Sequence, residues 1–239
     1  MDRAVFVSDI HLSESTPAIS SLFFRFLEEI DATALYVLGD LFDAWPGDDD
    51  LEDPFVVRAV SAMKKASLRM KLHVMHGNRD FLMGKGFLEA CGALSVPDPF
   101  CCEINGIQLL LAHGDALCTA DLEYQAFRRQ VRDPAWQASF LARPLAERKE
   151  VARGLRQQSE MKKLKKSDAI MDVDESAVAE AFRTHGYVTM IHGHTHRPGK
   201  HRHQVDSRRC ERWVLGDWHE AGAIAISASG GGLSFLEIK

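Results

Sequence analysis

The apolar residues of this chain fall into short runs that alternate with amphipathic segments. Short runs of β-branched, aliphatic and aromatic residues that end at polar turns are typical of buried strands. Proline at the first position of an amphipathic segment favours a helix start. The pattern predicts strands at 4–7, 34–38, 72–75, 107–112 and 188–191, and helices at 17–29, 54–67 and 175–185.

This alternation also predicts how the elements are arranged. Strands that alternate with helices indicate a mostly parallel, layered α/β sheet. In such sheets ligands bind beyond the carboxyl ends of the strands. The C-terminal part differs, because its apolar runs at 212–215, 221–227 and 233–238 surround a triple-glycine turn and predict short β-strands.

The pattern changes between residues 121 and 166, where helix-forming residues dominate and positive charge is concentrated. Trp136 and Phe140 share one predicted helical face in this segment. The basic residues of 148–166 either surround a ligand or form a solvated helix face, and the sequence leaves both open. We therefore predict a core made of residues 1–120 and 167–239, with a basic, partly apolar helical lid inserted at 121–166.

Composition narrows the class of protein. The chain has 239 residues, 46% hydrophobic and 26% charged, which fits one globular domain with an inserted segment or at most two small domains. A net charge of −5 argues against a general nucleic-acid-binding protein, because such proteins usually carry a broad basic surface. Five cysteines without CxxC spacing favour a reducing cytosol over a disulfide framework. The acidic run Asp48-Asp49-Asp50 is predicted to form a solvated loop.

Residues that can bind metal ions follow most of the predicted strands. Any one of these motifs alone is weak support for a metal site, but together they offer enough oxygen and imidazole ligands for two divalent ions. Paired ions are widely used to cleave phosphate esters and anhydrides. Asp43, Asp80 and Asp115 are predicted to orient ligands or turns rather than to bind metal. In chain order the motifs are Asp9-Ile10-His11, Gly39-Asp40, Gly77-Asn78-Arg79-Asp80, His113-Gly114-Asp115 and Gly193-His194-Thr195-His196.

The candidate ligands are predicted to be shared between the two ions. Asp9 and His11 are two residues apart at a strand end, so both side chains can reach one ion. Asp40 can bridge both ions through its two carboxylate oxygens. Nitrogen and oxygen ligands do not discriminate among Mn, Fe, Co and Zn. The most even division assigns Asp9, His11, Asp40 and His196 to a first ion and Asp40, Asn78, His113 and His194 to a second ion.

These motifs resemble those of the calcineurin-like metallophosphoesterases, which carry D-x-H, G-D, G-N-H-[DE], a later histidine and G-H-x-H in this order. The match spans nearly the whole chain. Longer strings at 76–82, 124–128, 169–173 and 191–198 are similar to the branch of this family that hydrolyses UDP-2,3-diacylglucosamine in lipid A biosynthesis. Many relatives have histidine at the position of Arg79. A phosphate monoester leaving group, with a second pKa of about 6, needs no proton donor there.

The resemblance implies a four-layer α/β/β/α sandwich with a helical lid and two Mn²⁺ ions per chain. It implies hydrolysis of the pyrophosphate bond of UDP-2,3-diacylglucosamine to UMP and 2,3-diacylglucosamine 1-phosphate (lipid X), by a dimetal-activated hydroxide that attacks the α phosphorus. The implied catalytic residues are Asp40, Asn78, Arg79, His113 and His194. The implied substrate contacts are Asn78, Arg79, Asp121, Ser159, Lys163, Lys166 and His194, although Lys163 could instead be a solvated residue.

A lipid substrate also predicts location and partners. Shielding acyl chains from water at ~0.8 kcal/mol per CH₂ calls for an apolar crevice between lid and core. We expect peripheral binding to the lipid surface of the bacterial inner membrane on its cytoplasmic side, no nucleic-acid partner, and a monomer.

Two alternatives stay open. The chain could be a phosphodiesterase or phosphatase of the same superfamily that acts on nucleotides or phosphoproteins. It could also be a scaffold that kept the sandwich and lost its chemistry, although no candidate ligand position is missing from the sequence.

Overall fold

The computed structural model describes residues 3–163 and 172–239. The strands in these ranges are β1 (Ala4–Val7), β2 (Ala34–Leu38), β3 (Lys71–Met75), β4 (Ala93–Ser95), β5 (Phe100–Ile104), β6 (Ile107–Ala112), β7 (Thr189–His192), β8 (Gly199–Val205), β9 (Arg208–Val214), β10 (Ala223–Ser229) and β11 (Gly232–Ile238). The helices are α1 (Pro17–Glu29), α2 (Pro54–Ser67), α3 (Lys85–Cys91), α4 (Leu122–Val131), α5 (Pro134–Leu141), α6 (Leu145–Lys163) and α7 (Glu175–Thr184).

The strands form two sheets, in the orders β11-β10-β1-β2-β3-β4 and β5-β6-β7-β9-β8. In the first sheet β1 to β4 are parallel, and in the second β6, β7 and β9 are parallel. The strands β10, β11, β5 and β8 are added antiparallel at the edges. The alternating pattern therefore predicted the parallel strands β1 to β3, β6 and β7, whereas β9 was predicted only as one of the short C-terminal strands. Antiparallel hairpins complete both sheets.

Each sheet packs against helices on its outer face and against the other sheet on its inner face, which gives four layers. Side chains alternate across a strand. Val5 and Val7 of β1 pack in the core shared with α1 to α3, whereas Phe6 lies between the two sheets. On the outer face of the second sheet, Leu110 and Met190 pack against α7. The predicted α/β/β/α sandwich is confirmed.

Most predicted elements are present; the prediction missed β4, β5, β8 and α3, and the absence of β4 and β8 from it has a physical reason. Helices α1 and α2 begin at Pro17 and Pro54 as predicted, and the side chain of Asp53 caps α2. Strand β8 was missed because its residues are mostly polar and lie at the exposed edge of the second sheet. The three residues of β4 are too few to show a periodicity.

The acidic run Asp48-Asp49-Asp50 is not the solvated loop predicted from its charge. Asp48 accepts hydrogen bonds from backbone N–H groups at the start of α3, at 2.9 and 3.0 Å. Asp49 pairs with Arg148, and a carboxylate oxygen of Asp50 lies 2.6 Å from Lys149 Nζ. Both cations belong to α6. They neither surround a ligand nor face solvent, the two roles predicted for the basic residues of 148–166, but attach the helix to the core.

The helices α4, α5 and α6 follow one another between β6 and β7. Phe140 of α5 is buried in the core shared by the first sheet and α1 to α3, and Trp136 packs against the same core. Within the described ranges, every helix is too short or too polar to cross a bilayer.

Candidate metal centre

The candidate ligands lie just beyond the carboxyl ends of five strands. Because these strands are parallel within each sheet and the two sheets face each other, their ends meet at one edge of the sandwich. Asp9 and His11 follow β1, Asp40 follows β2, Asn78 follows β3, His113 follows β6, and His194 and His196 follow β7.

Distances between side chains show how closely the ligands converge. The Nε2 atom of His11 lies 3.9 Å from Asp40 Oδ2, and that of His113 lies 3.7 Å from Asp40 Oδ1. The Nε2 atom of His196 lies 3.5 Å from Asp9 Oδ1. Asp40 therefore directs one oxygen towards each side of the cluster, as expected of a carboxylate shared between two ions.

Asn78 and His194 lie on the His113 side of the cluster. Asn78 Oδ1 is 2.9 Å from His113 Nε2, and the rings of His113 and His194 are 5.0 Å apart between centroids. The structure also brings Asp9 close to both sides, whereas the sequence predicted sharing by Asp40 alone. Two trios have ligand atoms within 4.8 Å of one another, namely Asp9, His11 and His196, and Asp9, Asp40 and His113.

Many of the ligands have an unusual backbone conformation. The φ angles are 53° at Asp9, His11 and Asp40, 67° at His194 and 56° at His196. This left-handed region costs a residue other than glycine on the order of 1 kcal/mol. The sharp turn after each strand lets side chains two residues apart reach the same centre, so the strain serves the cluster.

Two motif glycines are required by close approach. A Cβ at Gly77 would lie 2.0 Å from Asp40 Oδ1, and one at Gly193 would lie 2.4 Å from Asp9 Oδ2. Any side chain there would displace a candidate ligand. Asp80 accepts hydrogen bonds of 2.7 Å from the N–H of Gly77 and from that of the residue after Asp40. This contact is the orienting role predicted for Asp80.

Burial and charge move the pKa values of the ligands in opposite directions. Burial raises the pKa of Asp40 to about 7. Burial alone would raise the pKa of Asp9, but its close interaction with the positively charged ring of His196 lowers it below its usual value. Burial lowers the pKa of His194 to about 3, whereas Asp217 and Asp9 outweigh burial and raise that of His196 to about 10. Some groups of the cluster thus bind a proton more readily than usual and others less readily, and metal ions compete with these protons for the same atoms.

The residues of the cluster fit divalent metal ions. Asp9 Oδ1 is buried and makes no hydrogen bond to any part of the chain that the structure describes. A buried carboxylate oxygen in this state is costly unless a cation satisfies it. The surrounding donors are imidazole nitrogens and carboxylate or amide oxygens, which suit first-row divalent ions.

The predicted substrate contacts lie beside the cluster wherever the structure describes them. Arg79 donates a backbone hydrogen bond of 2.8 Å to Asp40, and its guanidinium lies 3.4 Å from Ser159 Oγ of α6. Lys166 and the side chain of Lys163 lie outside the described residues. One cavity of about 460 Å³ is lined by Asn78, Arg79, Asp121, Ser159 and His194 together with His11, Asp40 and His196.

Apolar side chains from the core and from the inserted segment that contains α4 to α6, called the insert below, line the same cavity. The rings of Trp136 and Phe140 stack at 5.0 Å, and Trp136 also meets Phe81 at 6.3 Å. The cavity therefore joins a polar, metal-binding wall to an aromatic one. Its apolar lining includes Trp45, Phe81 and Leu82 from the core and Phe127, Trp136, Phe140 and Leu155 from the insert.

Sequence reasoning missed residues that contact the ligands. Asp217 Oδ2 lies 3.0 Å from His196 Nδ1. The signal was present, because a glycine–aspartate pair follows the apolar run at 212–215 as another follows β2. Neither Arg128 nor Arg132 was assigned a role at the metal site from the sequence, yet both contact core loops beside the cluster.

Comparison with known proteins identifies the family. Residues 3–198 match the calcineurin-like phosphoesterase family. The UDP-2,3-diacylglucosamine hydrolase of Aromatoleum aromaticum is 51% identical over 91% of this chain and 89% of the relative. Those of Chromobacterium violaceum and Cellvibrio japonicus are 46% and 45% identical, over 98% and 95% of this chain and 98% and 96% of the relatives. The chain therefore belongs to the calcineurin-like phosphoesterase family of metal-dependent hydrolases and, within it, to the group of the UDP-2,3-diacylglucosamine hydrolases.

Proposed function

We propose that this protein hydrolyses the pyrophosphate bond of UDP-2,3-diacylglucosamine to UMP and 2,3-diacylglucosamine 1-phosphate, a step of lipid A biosynthesis. The observation that carries the proposal is the cavity that joins the ligand cluster to aromatic walls. Its substrate should combine phosphate groups with apolar chains. The substrate in the names of the relatives has both features.

The proposed metal ligands are Asp9, His11, Asp40, Asn78, His113, His194 and His196, and the proposed ions are two Mn²⁺. When bound, two divalent ions supply a water-derived nucleophile at neutral pH and neutralise phosphate charge. The chain's own contribution is to hold the α phosphate between the ligand cluster and Arg79. Arg79 and residues of the ligand cluster line the same cavity.

Arg79 stabilises negative charge that develops on the phosphate oxygens. Its guanidinium has several N–H donors and does not release a proton near neutral pH, so it cannot act as a general acid. The leaving group is a phosphate monoester with a second pKa of about 6, and its departure needs no proton donor. Arg79 and Ser159 meet across the gap between core and α6, so both can contact the diphosphate.

The apolar part of the cavity is proposed to receive the acyl chains. Each buried methylene contributes ~0.8 kcal/mol, so a few methylenes account for a large preference over a substrate without chains. Ala152 and Leu155 place this surface on α6, beside Ser159.

Filling the cavity should separate substrate classes. Ala152→Phe is expected to raise KM for UDP-2,3-diacylglucosamine on the order of 10- to 100-fold, because it displaces a few methylenes at ~0.8 kcal/mol each. Its kcat/KM for bis-p-nitrophenyl phosphate should stay near wild type. Ala146→Phe, at an exposed position of α6, is the matched control. If the wild type hydrolysed nucleotides or bis-p-nitrophenyl phosphate as efficiently as the lipid nucleotide, the phosphodiesterase alternative would replace this proposal.

We also propose that the protein binds the inner-membrane surface from the cytoplasmic side. Leu122 at the start of α4 is 77% exposed and Met161 near the end of α6 is 57% exposed, each within two residues of a cavity-lining side chain. Exposed apolar side chains beside a lipid-binding cavity favour insertion into a membrane surface.

Flotation with anionic liposomes tests this attachment. The wild type should float at low salt, and Leu122→Glu or Met161→Glu should lower the bound fraction by about 10-fold, since burying one such side chain contributes about 1.5 kcal/mol or more. Leu68→Glu is the matched control, because Leu68 is 81% exposed at the end of α2 and is not part of the cavity wall. Absence of flotation at every salt concentration would contradict the attachment.

A further inference from the structure

Helix α4 makes direct contacts with the loop that carries Asn78. The guanidinium of Arg132 donates to the carbonyl oxygen of Gly77 at 2.9 Å and to that of His76 at 3.4 Å. These carbonyls precede Asn78 in the chain, between the end of β3 and the ligand. Arg132 therefore fixes the peptide groups that orient the Asn78 side chain.

The same helix reaches the loop that carries His113. Arg128 Nε donates to Asp115 Oδ2 at 2.8 Å, and Arg128 Nη2 donates to Asp98 Oδ2 at 3.2 Å. Asp98 in turn accepts a hydrogen bond of 3.2 Å from the backbone N–H of His113. The side chains of Asp98 and Asp115 are 8% and 0% exposed, so Arg128 bridges two buried carboxylates next to this ligand.

A third contact from α4 involves His194. The ring of Tyr124 packs against that of His194 at an interplanar angle of 28°, with centroids 5.9 Å apart. The Tyr124 hydroxyl donates to Asp115 Oδ2 at 2.6 Å, which fixes the position of the ring. Helix α4 thus contacts, directly or through one residue, Asn78, His113 and His194, which are ligands assigned to the second ion.

A different segment contacts the ligands of the first ion. Asp217 Oδ2 accepts from His196 Nδ1 at 3.0 Å, which leaves Nε2 of His196 facing Asp9. Asp217 Oδ1 lies 3.2 Å from His219 Nε2, and the N–H of Trp218 donates to the carbonyl of Asp9 at 3.3 Å. The residues after β9 therefore hold Asp9 and His196 in place.

We infer that the two ion sites are positioned by separate parts of the chain: Arg128 and Arg132 of α4 position the ligands of the second ion, and Asp217 positions His196 for the first ion. The inference rests on the proposed two-ion function. Helix α4 is then part of the metal centre, whereas α6 covers the substrate. Removing an orienting hydrogen bond of this kind typically weakens metal affinity about 10- to 100-fold.

Site-selective metal titration tests this division. Metal-free protein is titrated with Mn²⁺ by calorimetry and by electron paramagnetic resonance, and the wild type should bind two ions. His196→Ala leaves only the second ion, and adding Arg132→Gln in this background should weaken the remaining affinity about 10- to 100-fold. In the His113→Ala background, which leaves only the first ion, Arg132→Gln should change little. Asp217→Asn should show the opposite selectivity.

Circular dichroism of each variant confirms that it is folded, and Arg148→Met serves as the control for loosening α6 alone. If Arg132→Gln and Asp217→Asn weakened Mn²⁺ binding at the remaining site equally in both backgrounds, or in neither, the inference that separate segments position the two sites would be wrong. Two-ion binding itself would still hold. A wild-type stoichiometry below two would contradict the two-ion proposal itself, and the division with it.

Discussion

Asp40→Ala is expected to lower kcat by at least about 10³-fold at saturating Mn²⁺, since loss of a single group that stabilises transition-state charge already costs 10²- to 10³-fold. One oxygen of Asp40 faces His11 and the other faces His113, at 3.9 and 3.7 Å. The variant therefore removes a ligand from both proposed ions at once. Raising the Mn²⁺ concentration should not restore the rate, because the variant lacks the carboxylate that would serve both proposed ions.

His113→Ala should cause a loss of similar size, because His113 is fully buried in the cluster and is not replaceable by solvent. His201→Ala is the control, since His201 is exposed on β8, away from the ligand motifs. Turnover of UDP-2,3-diacylglucosamine is measured over a Mn²⁺ series for all three variants. Near-wild-type turnover of Asp40→Ala or His113→Ala would show that the two-ion scheme is wrong.

Arg148→Met is expected to release α6 from the core at a cost of about 3 kcal/mol, the lower end for breaking a buried ion pair. Arg148 is 1% exposed and donates to both oxygens of Asp49 and to the carbonyls of Pro46 and Arg143. Methionine fills a similar volume but leaves both carbonyls without their donor. Asp49 is half exposed, so it regains water, which keeps the cost at the lower end.

Hydrogen exchange measures this effect locally. Amides of α6 should exchange about 100-fold faster in Arg148→Met, because each 1.4 kcal/mol changes an opening equilibrium tenfold. Amides of β1 to β3 should be unaffected. Arg153→Met is the matched control, since Arg153 is an exposed arginine on the same helix. Unchanged exchange in Arg148→Met would show that the acidic run does not dock the insert.

The insert has more than one task in this structure. The sequence indicated only a basic, partly apolar segment, which left open whether its charges bind ligand or face solvent. Arg128, Arg132, Arg148 and Lys149 instead pair with acids and carbonyls of the core. These four cations therefore attach the helices to the core, and Arg79 of the core lies in the cavity beside the cluster, where it can contact phosphate.

The sequence by itself determined the local elements and the identity of the candidate ligands. Short buried runs such as Ala4–Val7 and Ile107–Ala112 are strands in the structure, because β-branched and aliphatic side chains pack well on the buried surface of a sheet. Proline at the first position of α1 and of α2 determined where each of these helices begins. The ligand types followed from the motifs, since these residues stand directly after the strands.

Only the tertiary structure decided which side chains meet. Asp9 belongs to both ligand trios, Asp217 contacts His196, and Asp49 and Asp50 pair with cations of α6. Each of these contacts joins residues that are distant in sequence or turned by left-handed backbone, and neither composition nor periodicity encodes them. A charged residue cannot be assigned to solvent or to an ion pair from the sequence, because the free energy of an ion pair depends on distance and burial. The fold alone sets both.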